Sequence, residues 1–191
     1  YFDKENQFNS IKIHKKDKEY FLKGSSFNVN SIIESLLSNN KNNLDLININ
    51  KKINIDISKI RLDNRYNVEQ FSGHLHFNNQ KLISAKLIGS FSDKKKLEFT
   101  VMSDGNVKTT TLFLGKAEPI VKRYNFIKGF SDGELDLSSS KKFDESISTL
   151  KIYNFRLKEL PLLTKILTLA SLQGIADILS GEGIGFDEFE M

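Results

Sequence analysis

The chain has 191 residues, enough for one large domain, with 28 Lys+Arg against 24 Asp+Glu and a net charge of +4. It has no cysteine, which excludes disulfides, thiol catalysis and thiolate metal sites. The charges are interspersed, and there is no clustered basic face with interleaved aromatics, so nucleic acid is not an expected partner.

Taken in order, Phe8 to His14 and Glu19 to Gly24 alternate weakly and predict a hairpin turning at Lys15 to Lys18. Asn30 or Ser31 can cap a short helix near 30–38 that carries Ile32, Ile33, Leu36 and Leu37. From Leu44 to Leu114 the period is two. Ile53, Ile55 and Ile57 alternate with Asn54 and Asp56. Phe71, Gly73, Leu75 and Phe77 alternate with Ser72, His74 and His76. Ile83, Ala85, Leu87 and Gly89 follow, then Leu97, Phe99 and Val101, and Val107, Thr109, Thr111 and Phe113 are read as continuing the pattern. Asn-Asn, Ser-Asp and Asp-Gly punctuate these runs, which predicts an antiparallel meander with one apolar face. A short helix is expected near 116–125 and further strands from Gly129 to Leu137 and from Ile147 to Leu157.

The stretch Leu150 to Met191 is distinctive. Pro161 suits a first helical turn and Gly181 a left-handed C-cap, which predicts an apolar helix near 161–180. Leu163, Ile166, Leu167 and Ala170 make one face; Leu172, Ile175, Ala176 and Leu179 make a second, rotated face. Lys165, Asp177, Gln173 and Gly174 count against a membrane span, and Gly174 is a place for the helix to bend. Ile184, Phe186 and Phe189 begin another strand-like pattern, and the chain is read as a piece of a longer protein.

The predicted fold is mainly β, a β-rich α+β chain in which a long, curled antiparallel sheet forms an apolar groove. One domain over 1–191 is expected. Only two short helices and one long one are available to cover such a face, so either the sheet rolls onto itself or part of the face stays open to a ligand. The candidate lining is Phe71, Leu75, Phe77, Ile83, Leu87, Leu97, Phe99 and Val101 from the sheet, with Leu163, Ile166, Leu167 and Ala170 from the helix. Gly73 and Gly89 on that face are read as room for curvature or for a bound chain.

Catalytic chemistry has little to stand on. His74 and His76 share a strand face as candidate metal ligands, without cysteine or an obvious third ligand. Gly181, Gly183 and Gly185 follow a helix, unlike a nucleotide loop, and read as a cap and turn. Asp187, Glu188 and Glu190 are acidic neighbours with no recognisable catalytic signature. No enzyme, cofactor or metal is expected.

Joint motifs carry a resemblance. Phe155-Arg156-Leu157 is followed by Leu160-Pro161-Leu162-Leu163, then Ala170-Ser171-Leu172-Gln173-Gly174-Ile175, then Ser180-Gly181-Glu182-Gly183-Ile184-Gly185-Phe186. Upstream, Ser103-Asp104-Gly105 leads to Ile127-Lys128-Gly129-Phe130-Ser131-Asp132-Gly133-Glu134-Leu135, and Gly24-Ser25-Ser26-Phe27-Asn28-Val29 fits an opening element. These resemble the AsmA-like C-terminal domain family, in particular the YhdP-like proteins of Gram-negative bacteria, within the repeating β-groove superfamily of bridge-like lipid carriers. The family typically has a Gly-Gly pair before that last strand, and Ser131-Asp132-Gly133 stands here instead. The resemblance implies a periplasmic, envelope-spanning protein anchored in the inner membrane through a segment outside this sequence. It also implies movement of phospholipid between inner and outer membranes, with acyl chains shielded by the sheet. Its motif positions are Phe155, Leu157, Pro161, Ser171, Leu172, Gly174, Gly181, Gly183 and Phe186. The expected partners are phospholipid acyl chains, the membrane and other envelope proteins. The rival reading is a structural or assembly module of the envelope with a packed sheet–helix core and a protein partner.

Overall fold

A computed structural model describes residues 8–30, 51–78, 81–124, 129–143, 145–158 and 184–190. Ten strands make one open sheet in strict chain order. They are β1 (Ser10–Lys16), β2 (Glu19–Asn28), β3 (Lys52–Arg61), β4 (Asn67–Asn78), β5 (Lys81–Phe91), β6 (Lys96–Asp104), β7 (Val107–Leu114), β8 (Phe130–Lys142), β9 (Glu145–Leu157) and β10 (Ile184–Glu190). The helix α1 (Glu118–Tyr124) lies between β7 and β8. Beyond Asn30, the helices predicted near 30–38 and 161–180 fall outside the described residues.

The mainly β expectation holds, with one correction. β2 and β3 run parallel, Glu19 facing Lys52 and Gly24 facing Ile57, whereas every other neighbouring pair is antiparallel. A two-residue turn joins antiparallel strands only; a parallel pair needs a crossover of a dozen or more residues. The stretch between Asn28 and Lys52 is long enough for that crossover.

Alternation puts apolar residues on one face of most strands, but β7 departs from its predicted face. Val101 faces Thr110, Phe99 faces Leu112 and Leu97 faces Leu114. Thr110, Leu112 and Leu114 are therefore the inward set, and Val107, Thr109, Thr111 and Phe113 lie on the polar face. The Gly105-Asn106 turn sets this register, with Gly105 at φ 55° and Asp104 opposite Val107. On the polar face Thr100 and Thr111 share a hydroxyl hydrogen bond of 2.6 Å.

The core lies at the end of the sheet where α1 returns. Ala117 and Val121 pack in one cluster with Val68, Phe91, Leu114, Phe130, Leu135 and Ile152, all buried, and Pro119 between them is buried too. Each such side chain removed from water is worth roughly 1.5–3 kcal/mol. An irregularity at Asn154, φ 52°, turns Phe155 onto the inner face, where it stacks between Phe130 at 5.4 Å and Phe186 at 5.1 Å. This stack joins β8, β9 and β10.

The two inward glycines do not leave open room. A Cβ on Gly73, at φ 143°, would lie 1.9 Å from the Lys86 carbonyl oxygen, and a Cβ on Gly89 would lie 2.4 Å from Val68 Cγ1. Both let neighbouring strands pack closely. Gly105 sits at φ 55° with nothing within 4 Å of an added Cβ. Gly105→Ala is therefore expected to cost about 1 kcal/mol through backbone strain alone, and Gly73→Ala at least twice that. Urea denaturation of the two variants checks the ordering.

Candidate functional site

The strand registers assemble the inner face into cross-strand rows. One row runs Ile57, Phe71, Gly89, Leu97, Leu114, Leu135, Ile152. Nearest α1, it is buried apart from Phe71 and Gly89, which are half-buried. The next runs Ile55, Gly73, Leu87, Phe99, Leu112, Leu137, Leu150, and every member is half-buried. The third runs Ile53, Leu75, Ala85, Val101, then Thr110, Ser139, Ser148. It changes from hydrocarbon to hydroxyl halfway across the sheet. A fourth, nearer the hairpin tips, runs Ser103, Lys108, Lys141, Ser146.

Most of the predicted lining is thereby brought together. Leu75, Leu87, Leu97, Phe99 and Val101 share the face, with Leu97 and Val101 buried and the others half-buried. Phe71 joins them opposite Ile57. Phe77 faces Leu82 rather than Ile83, because the register shifts by one residue after His76 and leaves Ile83 unpaired. The helical members Leu163, Ile166, Leu167 and Ala170 lie outside the described residues. Leu112, Leu137 and Leu150 were missed as lining. Their strands carry Thr and Ser beside the leucines, so only the register reveals the row.

Of the motif positions, Phe155, Leu157 and Phe186 converge: Phe155 pairs with Phe186, and Leu157 pairs with Phe130 and Ile184. Asp132 and Gly133 both adopt positive φ, 64° and 81°, and a Cβ on Gly133 would lie 2.9 Å from Phe155 Cβ. The rest, Pro161, Ser171, Leu172, Gly174, Gly181 and Gly183, lie outside the described residues. His74 faces Asn54 and Lys86, and His76 faces Lys52 and Ser84. Among the described residues no three His, Asp or Glu side chains come together as a metal site.

A polar joint fixes α1 over the sheet. Glu118 accepts hydrogen bonds from the Tyr66 hydroxyl and, at 2.9 Å, from the Asp132 N–H; Lys122 pairs with it at 3.4 Å. Lys116 pairs with Asp93 at 2.8 Å and lies over the Tyr66 ring. Burial pushes the Glu118 carboxyl up, but the Tyr66 and Asp132 hydrogen bonds and Lys122 outweigh it and hold it below the usual carboxylate value. Burial and the Glu118 contact push the Tyr66 hydroxyl up. A cleft of about 300 Å³ lies beside this joint, lined by Asp63, Asn64, Arg65, Tyr66, Pro119, Lys122 and Arg123. Asp63 and Arg123 are turned to local structure. Asp63 accepts from the Arg65 and Tyr66 N–H groups at 2.7 and 2.8 Å, and Arg123 donates to the Pro119 and Leu62 carbonyls.

Searches against protein-family models, curated proteins and solved structures found no match. Among the described residues no helix is long and apolar enough to cross a membrane.

Because its folded value is depressed, the Glu118 carboxylate stabilises the fold above the unfolded carboxyl value, and this contribution is lost as pH falls through the lowered one. Glu118→Gln is expected to cost about 1–2 kcal/mol at pH near 7 and progressively less towards pH 3. Urea denaturation at the two pH values measures the difference.

Proposed function

We propose that this chain is a non-enzymatic phospholipid-binding segment of an AsmA-like envelope protein, with acyl chains lying against the inner face of the sheet. The observation that carries the reading is the half-buried row from Ile55 to Leu150, with an apolar side chain in every strand from β3 to β9 except β4, where Gly73 stands. At the usual strand spacing it is about 29 Å long, more than the roughly 15 Å spanned by one leaflet's acyl chains. A chain of about fourteen methylenes gains on the order of 11 kcal/mol by leaving water, so continuous cover is the requirement that matters. A β-sheet supplies it with its backbone groups already paired.

The hydroxyl half of the neighbouring row gives the polar end of a lipid a wettable place beside its tails. The resemblance is supported by the meeting of its pieces: the Phe155 and Phe186 segments pair directly, and Asp132-Gly133 takes positive φ where a Gly-Gly pair is unstrained. On this reading the chain works in the periplasm, within a longer protein held in the inner membrane, and passes phospholipid between the two membranes.

The second reading, a packed structural module with a protein partner, draws on the burial of Ile53, Ala85 and Val101 at 6, 3 and 3% exposure. Substitutions separate the two. Leu75→Asp and Phe99→Asp fall on half-buried positions and are expected to abolish lipid retention, read by mass spectrometry of the purified protein, while the circular dichroism spectrum is kept. Val101→Asp puts a charge at a buried position and is expected to cost about 4 kcal/mol or more, unfolding the sheet. A wild-type chain that carries no phospholipid, or carriers unaffected by Leu75→Asp, would point to the packed module.

A further inference from the structure

The strand connections place five features at one rim of the sheet: the β1–β2 turn, the start of β3 and the β4–β5, β6–β7 and β8–β9 turns. The opposite rim carries α1 and the β3–β4 and β5–β6 turns. The first rim is rich in lysine. Lys15, Lys16 and Lys18 surround the β1–β2 turn. Lys51 and Lys52 open β3, and Lys81 opens β5. Lys108, second in β7, lies opposite Lys141, with Lys142 beside it. The described acids there are Asp17, Glu19, Asp104 and Glu145, and Asp144 stands between Phe143 and Glu145 in the sequence. Among the described residues, ion pairing at this rim is confined to Lys52 with Glu19 at 3.8 Å.

Two observations set this rim apart. Lys108 and Lys141 face each other directly with Ser103 and Ser146 on either side, so the row holds two like charges and no acid. Like charges directly opposite destabilise a sheet, so the pair is favourable only when something anionic lies against it. On the other face of the same rim, Met102, Thr109, Ser140 and Ile147 form one row, and there large apolar side chains stand in solvent, Met102 at 70% exposure and Ile147 at 78%, with Phe143 at 67% next to Lys142 at the end of β8. The opposite rim is also basic, but Lys116, Lys122 and Arg156 there are tied to Asp93, Glu118 and Asp132.

We propose that this rim docks on the surface of an anionic phospholipid bilayer, Phe143, Met102 and Ile147 entering the headgroup region and the unpaired lysines lying over the phosphates. Lysines beside apolar anchors are what an interfacial site requires: the apolar groups gain by burial, and each lysine near an anionic surface strengthens binding about fivefold. The docking stands on the rim alone and needs no carried acyl chain, so vesicle binding and lipid retention on the inner face are separate readouts.

Because the chain has no tryptophan, Phe143→Trp is a sole reporter. Its emission is expected to shift to the blue, and to be quenched by brominated lipid, with vesicles of phosphatidylcholine plus phosphatidylglycerol but not of phosphatidylcholine alone. Ile88→Trp, on the outer face, is expected to stay unchanged. In sedimentation with the mixed vesicles, Lys141→Gln/Lys142→Gln is expected to weaken binding about 25-fold, and Lys94→Gln/Lys96→Gln on the opposite rim to leave it within about threefold. Equal losses from the two pairs would reduce the effect to net charge and overturn the proposal. So would an unshifted Phe143→Trp spectrum, or binding to neither vesicle.

Discussion

Ile55, Leu87, Phe99, Leu112, Leu137 and Leu150 stand in one row only because each strand keeps its register with the next. A slip of one residue anywhere would send the remaining apolar set to the polar face. The register is held by local devices. A two-residue turn fixes β7 against β6, the bulge after His76 resets β4 against β5, and the irregularity at Asn154 returns Phe155 to the inner side. Gly73 allows β4 and β5 to approach where any side chain would strike the Lys86 carbonyl.

The inner face is graded from one rim to the other. Near α1 it is a packed core, fixed by the Tyr66–Glu118–Asp132 joint and closed by the phenylalanine stack. At mid-sheet it is hydrocarbon that stays half in water. Towards the hairpin tips it becomes hydroxyl and lysine on β7, β8 and β9. A phospholipid has the same order of polarity along its length, which is the physical basis of the lipid reading. The exposed phenylalanine, methionine and isoleucine sit at the lysine end, away from the core.

Much of this was legible in the sequence. Period-two runs gave β3 to β6, their punctuation gave the turns, and helical spacing around Ile120 and Val121 gave α1. Leu75, Leu87, Phe99 and Val101 were placed on the correct face for the reason that strand geometry dictates. β7 was not, because Val107, Thr109, Thr111 and Phe113 alternate as plausibly as Lys108, Thr110, Leu112 and Leu114, and only the pairing with β6 decides between them. The parallel β2–β3 pair was hidden for a similar reason: direction belongs to the connection, not to the residues of the strand. Gly73 and Gly89 read as open space because a missing side chain looks the same in sequence whether or not a neighbour fills it.

On the proposed function, acyl chains contact the inner face and not the outer one. Leu87 and Ile88 are adjacent, with Leu87 in the half-buried row and Ile88 opposite Glu98 on the other side. A photo-crosslinking amino acid placed at each position, in protein purified from cells, tests this directly. A phospholipid adduct is expected at 87 and none at 88. Equal labelling at both, or none at 87 in a folded protein, would contradict it.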